Sequence, residues 1–210
     1  MYTLDLPGHG KSEGTGLQSI SSYARVVRHF LDAAEIYSSI LVGHSMGAAI
    51  ALEAARREPE RVRGLGLLSA GSVFHCSKPP LESFKNPVML ADARDWLAAS
   101  LFTAGADKKL QSRVVDALRQ VRPAVLAADL HACSRYEFMP LPEKCTMPVL
   151  VIHGPEDRIV LKQDAQHLAH SIPQAKLVRM PFAGHMVMLE APEKVGKLLG
   201  RFIQQINTQK

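Results

Sequence analysis

The run Ser39-Ile40-Leu41-Val42-Gly43-His44-Ser45-Met46-Gly47-Ala48-Ala49-Ile50 constrains the chain more than any other stretch. Ile40 to Val42 read as a short buried strand. Gly43-His44-Ser45-Met46-Gly47 fits G-x-S-x-G, and the alanine-rich run from Ala48 to Arg57 reads as a helix. Strand, tight glycine-flanked turn and helix, in that order, is the context of a nucleophile elbow. Such a turn forces the serine into a strained backbone conformation, so its neighbours must be small. Gly43 and Gly47, which have no Cβ, are expected to meet that need. Ser45 Oγ would then stand at the end of a sheet, with a helix N-terminus behind it to favour developing negative charge.

The rest of the chain supplies a setting for such a site. Its 210 residues can bury a full core, and one domain with an insertion is the natural expectation. A hydrophobic share of 47% and a charged share of 21% are ordinary for a globular protein. The longest apolar runs, such as Val149 to Ile152, are too short to span a bilayer. Met1 to Asp5 has neither a basic region nor a long apolar run of the kind that opens a secretory signal. Cys76, Cys133 and Cys145 are odd in number, widely spaced and without C-x-x-C, which favours reduced thiols and a cytoplasmic location. The net charge of +5 comes from 25 basic and 20 acidic residues. The basic residues are scattered and no aromatic-interleaved basic stripe is present, so nucleic acid is not an expected partner.

Met1 to Leu6 reads as a short strand running into Pro7-Gly8-His9-Gly10-Lys11-Ser12. Gly10-Lys11-Ser12 looks like the end of a P-loop, but Asp5 stands where that motif needs its first glycine, which argues against nucleotide binding. Ser19 is placed to N-cap a helix through about Ala34, with Ile20, Tyr23, Val27, Phe30 and Leu31 on one face. Pro59 cannot continue the elbow helix. Gly64 to Ser69 and Pro148 to His153 read as buried strands, and Lys176 to Met180 as a last short strand. Gln163 to Ile172 and Pro192 to Ile206 read as helices. Short apolar strands alternating with helices imply a mostly parallel sheet covered on both faces. Between Ser72 and Pro140 there is no convincing strand. Helical stretches are expected near Val88–Ser100, Asp107–Val121 and Ala124–Tyr136, with Pro79-Pro80 and Pro140-Leu141-Pro142 at the two ends. Residues 1–71 and 141–210 are therefore expected to form the core, and 72–140 a helical lid over the strand ends.

A serine is a poor nucleophile until a base takes its proton, and that base needs an acid to orient it. Asp157 lies in the loop leaving the 148–153 strand, and His185 in the loop leaving the last strand. Serine, aspartate and histidine at successive strand ends, in that chain order, form a candidate catalytic set. The segment Ser69-Ala70-Gly71 holds no carboxylate, so Asp157 has no rival there. Glu190 is read as support for the closing helix. His167 and His170 lie i,i+3 on a helix without H-E-x-x-H, which fits a surface helix better than a metal site. No metal and no cofactor are expected.

Four segments carry a resemblance to a known family. They are Asp5-Leu6-Pro7-Gly8-His9-Gly10-Lys11-Ser12, Gly43-His44-Ser45-Met46-Gly47, Ile152-His153-Gly154-Pro155-Glu156-Asp157-Arg158-Ile159-Val160, and Ala183-Gly184-His185 followed by Glu190-Ala191-Pro192-Glu193. In this order they resemble the α/β-hydrolase superfamily, in its capped serine-esterase and C–C hydrolase branch. The resemblance implies an α/β-hydrolase fold: a mostly parallel sheet between helices, with a helical lid. It also implies Ser45 as nucleophile, Asp157 as acid, His185 as base and the Met46 amide as one oxyanion-hole donor. Ser45 argues against the branches that use an aspartate nucleophile. Family members usually carry strands and an H-G-type loop before the Asp5–Gly8 segment. An N-terminally incomplete hydrolase, with a gap in its sheet and one oxyanion donor fewer, is therefore expected.

Two functions follow. One is a serine hydrolase that cleaves a carboxylic ester or related acyl bond of a small molecule through an acyl-enzyme. His44, Trp96 and Met139 are then candidates for contact with substrate, and Leu97 and Phe102 are further apolar lid residues. The alternative is a non-catalytic or weakened hydrolase-fold protein that binds ligands or partners.

Overall fold

A strand is stable only when its backbone N–H and C=O groups find a neighbour, and that requirement decides which apolar runs become the sheet. The computed structural model describes residues 1–75 and 81–208. Cys76 and the expected boundary at Pro79-Pro80 lie outside the described residues. Helix α1 (Ile20–Ala33) is followed by β1 (Ser39–His44), α2 (Met46–Arg57) and β2 (Val62–Leu68). Three helices come next: α3 (Leu90–Ser100), α4 (Lys108–Gln120) and α5 (Pro123–Ser134). The chain returns through β3 (Val149–His153), α6 (Lys162–His170), β4 (Ala175–Arg179), the short α7 (Val187–Glu190) and α8 (Pro192–Thr208). The sheet order is β1-β2-β3-β4, all parallel.

The alternation along β3 explains the layers. Val149 and Val151 point to one face, where they pack with Leu65, Leu67, Leu52 of α2 and Leu168 of α6. Leu150 and Ile152 point to the other, where they meet Leu68, Val187 and Val195 of α8. Each such side chain stabilises the fold by about 1.5–3 kcal/mol on burial. Helix α1 is capped as its sequence predicts, the Ser22 amide donating to Ser19 Oγ at 3.2 Å. Its Ile20, Tyr23, Val27 and Leu31 are buried.

One expected element is absent. Met1 to Leu6 is not a strand. β1 pairs with β2 on one side only, so the 1–6 segment has no ladder to join. It is fixed by its far end instead: Asp5 Oδ2 accepts from the Lys11 amide at 3.0 Å and Asp5 O from Ser12 Oγ at 2.7 Å. The P-loop-like Gly10-Lys11-Ser12 thus wraps the protein's own carboxylate. No helix among the described residues is long and apolar enough to cross a membrane.

Helix α5 is tied to this same loop. His9 Nε2 donates to Asp129 Oδ2 at 2.8 Å, and the buried Tyr23 hydroxyl donates to Asp129 Oδ1. The Leu17 amide donates to the Tyr23 oxygen at 2.8 Å, and Arg122 donates to the Gly8 and Gly14 carbonyls. His9 Nδ1 also faces an acceptor, Pro7 O at 3.2 Å, so the doubly protonated ring satisfies both contacts. The Asp129 carboxylate accordingly raises His9 above its ordinary value, against the opposing effect of burial.

A group raised on folding adds stability that is fully present below its unfolded value, about 6.5 for histidine, and is lost as pH climbs through the folded one. Asp129→Asn should therefore cost about 1.5 kcal/mol at pH 6, the low end for a hydrogen bond to a charged group. That corresponds to a melting-temperature loss of roughly 3–6 °C. The loss should shrink clearly at pH 9. An equal loss at both pH values would contradict the charged His9–Asp129 contact.

Candidate active site

In a parallel sheet all strands end at the same edge, so loops leaving successive strands can converge. Here they do. β1 ends at His44 and turns sharply into α2 through Ser45, whose φ of 53° and ψ of −118° lie outside the ordinary regions. Such a conformation costs of order 1–3 kcal/mol and persists only where the surroundings over-determine it. The Ser45 amide donates to Leu68 O at the end of β2 at 2.9 Å. Its carbonyl accepts from the Ala48 amide at 2.9 Å and the Ala49 amide at 3.2 Å. A methyl group at position 43 would collide with the Gly47 carbonyl, so glycine is required there. The expectation that Gly47 must also be small is corrected: a Cβ at Gly47 would meet nothing within 4 Å. The turn brings the Gly47 backbone down onto Gly43, whereas the position a Gly47 Cβ would take is open.

Asp157 is held by the turn that follows β3. Its Oδ1 accepts from the Ile159 and Val160 amides at 2.8 and 2.9 Å. His153, 1% exposed, closes the turn by donating from Nε2 to Val160 O at 3.0 Å. Asp157 Oδ2 is left to accept from His185 Nδ1 at 2.8 Å. That bond leaves His185 Nε2 as the free ring nitrogen. Gly154 lets the two loops touch, since a Cβ there would strike the Ala183 and Gly184 carbonyls.

The His185 backbone is also fixed. Its carbonyl accepts from His44 Nε2 at 2.8 Å and from Ser69 Oγ at 2.7 Å. The His44 and His185 rings lie 4.8 Å apart. Burial, reinforced by the His185 ring, lowers His44 to about 4, so at neutral pH it is an uncharged Nε2–H donor. Ser69 also adopts a positive φ, 47°, and its amide donates to Ile152 O at 2.8 Å.

A cavity of about 590 Å³ opens above these strand ends. Ser45, His185, His44 and the start of α2 at Met46 and Gly47 line its floor. Phe74, Leu97, Leu118, Val121, Leu126 and Ile159 make its walls mostly apolar. Among the described residues no hydrogen bond joins Ser45 Oγ to His185. Catalytic contacts commonly tighten only when substrate is bound. Met46 is the first helical residue of α2, where a backbone amide has no partner inside its own helix, and it is among the residues lining this cavity.

Two residues expected to contact substrate lie off this cavity. Trp96 is 41% exposed and Met139 is 60% exposed, and neither lines the cavity. Successive helix residues point about 100° apart, so α3 turns Leu97 inward and Trp96 outward. Phe102 is buried at the end of α3 rather than on the cavity wall. His167 and His170 are exposed on α6. Reading the sequence misses Ser69, whose only signal is a hydroxyl at a strand end. It also misses Asp129, a carboxylate inside the otherwise apolar run of α5.

Comparison with known proteins bears on the family and the fold. The profile of the Alpha/beta hydrolase family matches residues 1–198. The chain is 30% identical over 225 aligned positions to the pimeloyl-[acyl-carrier protein] methyl ester esterase of Yersinia enterocolitica, covering 99% of this chain and 84% of that protein. It is 32% identical over 222 positions to the dihydrolipoyllysine-residue acetyltransferase component of the acetoin cleaving system of Pseudomonas putida, covering 98% of this chain but only 56% of that protein. The solved structure of a thermophilic esterase superposes with a TM-score of 0.83 at 27% identity, covering 96% of this chain and 79% of that one.

The elbow geometry separates its two glycines experimentally. Gly43→Ala should lower stability by about 3 kcal/mol, as overpacking against backbone does. Gly47→Ala should leave the denaturation midpoint unchanged or raised, since alanine is the better helix residue. Equal losses from both substitutions would contradict the asymmetry of the turn. With its matched profile, its parallel sheet and its strained serine at a strand end, the chain belongs to the alpha/beta hydrolase family of enzymes.

Proposed function

We propose that the protein is a serine hydrolase that cleaves esters of apolar acyl groups, or closely related acyl bonds, through an acyl-enzyme. The observation that carries this reading is the Asp157–His185 hydrogen bond beside a cavity that also contains Ser45. Ser45 Oγ attacks the substrate carbonyl carbon while His185 Nε2 accepts its proton. Asp157 accepts from Nδ1–H and stabilises the imidazolium. The oxyanion takes a hydrogen bond from the Met46 amide at the positive end of α2. Collapse of the tetrahedral intermediate returns the proton to the leaving alcohol and leaves the acyl group on Ser45. Water, deprotonated by His185, then attacks the acyl carbon and releases the carboxylic acid and the serine hydroxyl.

The helices between β2 and β3 act in this reading as a lid that holds the acyl chain. Their apolar side chains line the cavity, and α5 is fastened to the 8–14 loop through Asp129 and Arg122. A neutral His44 suits the same chemistry, because it adds no positive charge beside the imidazolium of His185. The similarity to the Yersinia enterocolitica esterase supports an ester substrate for this chain.

Turnover of p-nitrophenyl esters tests the proposal. Butyrate should exceed acetate in kcat/KM, since each added CH₂ buried in the cavity contributes about 0.8 kcal/mol. Ser45→Ala should remove turnover at all chain lengths. Turnover that survives Ser45→Ala would overturn the mechanism.

A further inference from the structure

We propose that Glu190 is a positioning residue for His185, clasping the loop of the base to the root of the helical segment that covers the cavity. The inference rests on the serine-hydrolase reading above. By sequence Glu190 supports the closing helix, but its side chain turns elsewhere. Glu190 Oε2 accepts from the Gly184 amide at 2.8 Å, and Oε1 accepts from the Thr103 amide at 3.0 Å. The Met186 amide donates to Leu101 O at 3.1 Å. The residues on either side of His185 are therefore both anchored. Two of these ties lead to residues 101–103, just beyond α3.

The two segments lie flat against each other. A Cβ at Gly184 would come within 3.1 Å of the Thr103 nitrogen and 3.3 Å of the Phe102 carbonyl carbon. Phe102 and Thr103 are both buried. Both groups facing Glu190 are N–H donors, and each meets a different oxygen, so the site asks for two acceptor atoms. A carboxylate does so, whereas an amide would turn its NH₂ toward a donor. Among the described residues no cation forms an ion pair with Glu190. Its charge therefore serves the two amides, and charge-assisted bonds of this kind are the strong ones.

The consequence falls on rate. His185 Nδ1 is fixed by Asp157 and its carbonyl by His44 and Ser69, but the path of its loop is set by the amides at 184 and 186. A shift of the order of 1 Å in a reacting group can cost about 100-fold. His185 moves a proton in both acylation and deacylation, so loosening the clasp should slow both steps. Substrate contacts lie on the apolar walls and should be little affected.

Glu190→Gln should lower kcat on p-nitrophenyl butyrate by about 10- to 100-fold with KM within about twofold of the parent. Glu190→Asp, which keeps a carboxylate on a shorter stem, should fall between the two. The rate of labelling by a fluorophosphonate should drop in parallel with kcat. If Glu190→Gln does not fold, kcat and KM of the aspartate variant decide. A parent-like kcat in the folded variant overturns the inference, as does a loss carried by KM. Ser45→Ala is measured alongside. If Ser45→Ala retains turnover, the reading of the site fails. If it is inactive while Glu190→Gln matches the parent, only the role of Glu190 fails.

Discussion

The carbonyl oxygen of His185 is where the strand ends meet. It accepts from His44, the last residue of β1, and from Ser69, the first residue beyond β2. The ring of the same residue is bonded to Asp157 in the loop leaving β3, and His185 itself lies in the loop leaving β4. Three parallel strands thus deliver one hydrogen-bonding partner each to a residue that leaves the fourth. A parallel sheet makes this possible because its strands end together, and the close approach permitted by Gly154 lets the last two loops touch. Hydrogen bonds among buried groups are costly to leave unmade, by about 1–3 kcal/mol per orphaned partner. The geometry of the site is therefore bound to the integrity of the sheet.

Strain at the strand ends belongs to the same construction. Ser45 and Ser69 both adopt positive φ without being glycine. Each has its amide bonded to the end of the neighbouring strand, Ser45 to Leu68 and Ser69 to Ile152. The register of one strand thus fixes the strained turn of the next. Above this floor the walls are apolar, and the polar groups near the cavity edge are paired among themselves. His9 and Tyr23 share the carboxylate of Asp129, so α5 is joined to the core by a charged contact. That arrangement lets an apolar chamber sit beside titratable groups without leaving them unpaired.

Much of this is legible in the sequence because it is local. The elbow follows from Gly43 and its neighbours, the helix starts from Ser19, and the strands from β-branched runs such as Val149 to Ile152. Asp157 and His185 stand out because each sits in a glycine-containing loop a few residues after a short strand-like run. What cannot be read depends on partners far along the chain. Met1 to Leu6 has a strand-like pattern, yet a strand is made by its neighbour, and β1 pairs on one side only. Trp96 and Leu97 are both large and hydrophobic, and only the packing of α3 decides that Leu97 turns inward. Glu190 reads as a helix residue until Thr103 and Gly184 are brought to its carboxylate.

The central claim is that the strained serine at the end of β1 is a nucleophile served by His185. Intact-mass and peptide mapping after fluorophosphonate treatment test it most directly. The account predicts a single adduct on the peptide containing Ser45, formed slowly or not at all when His185 is replaced by alanine. An adduct on any other residue, or labelling of Ser45 at the same rate without His185, would contradict it.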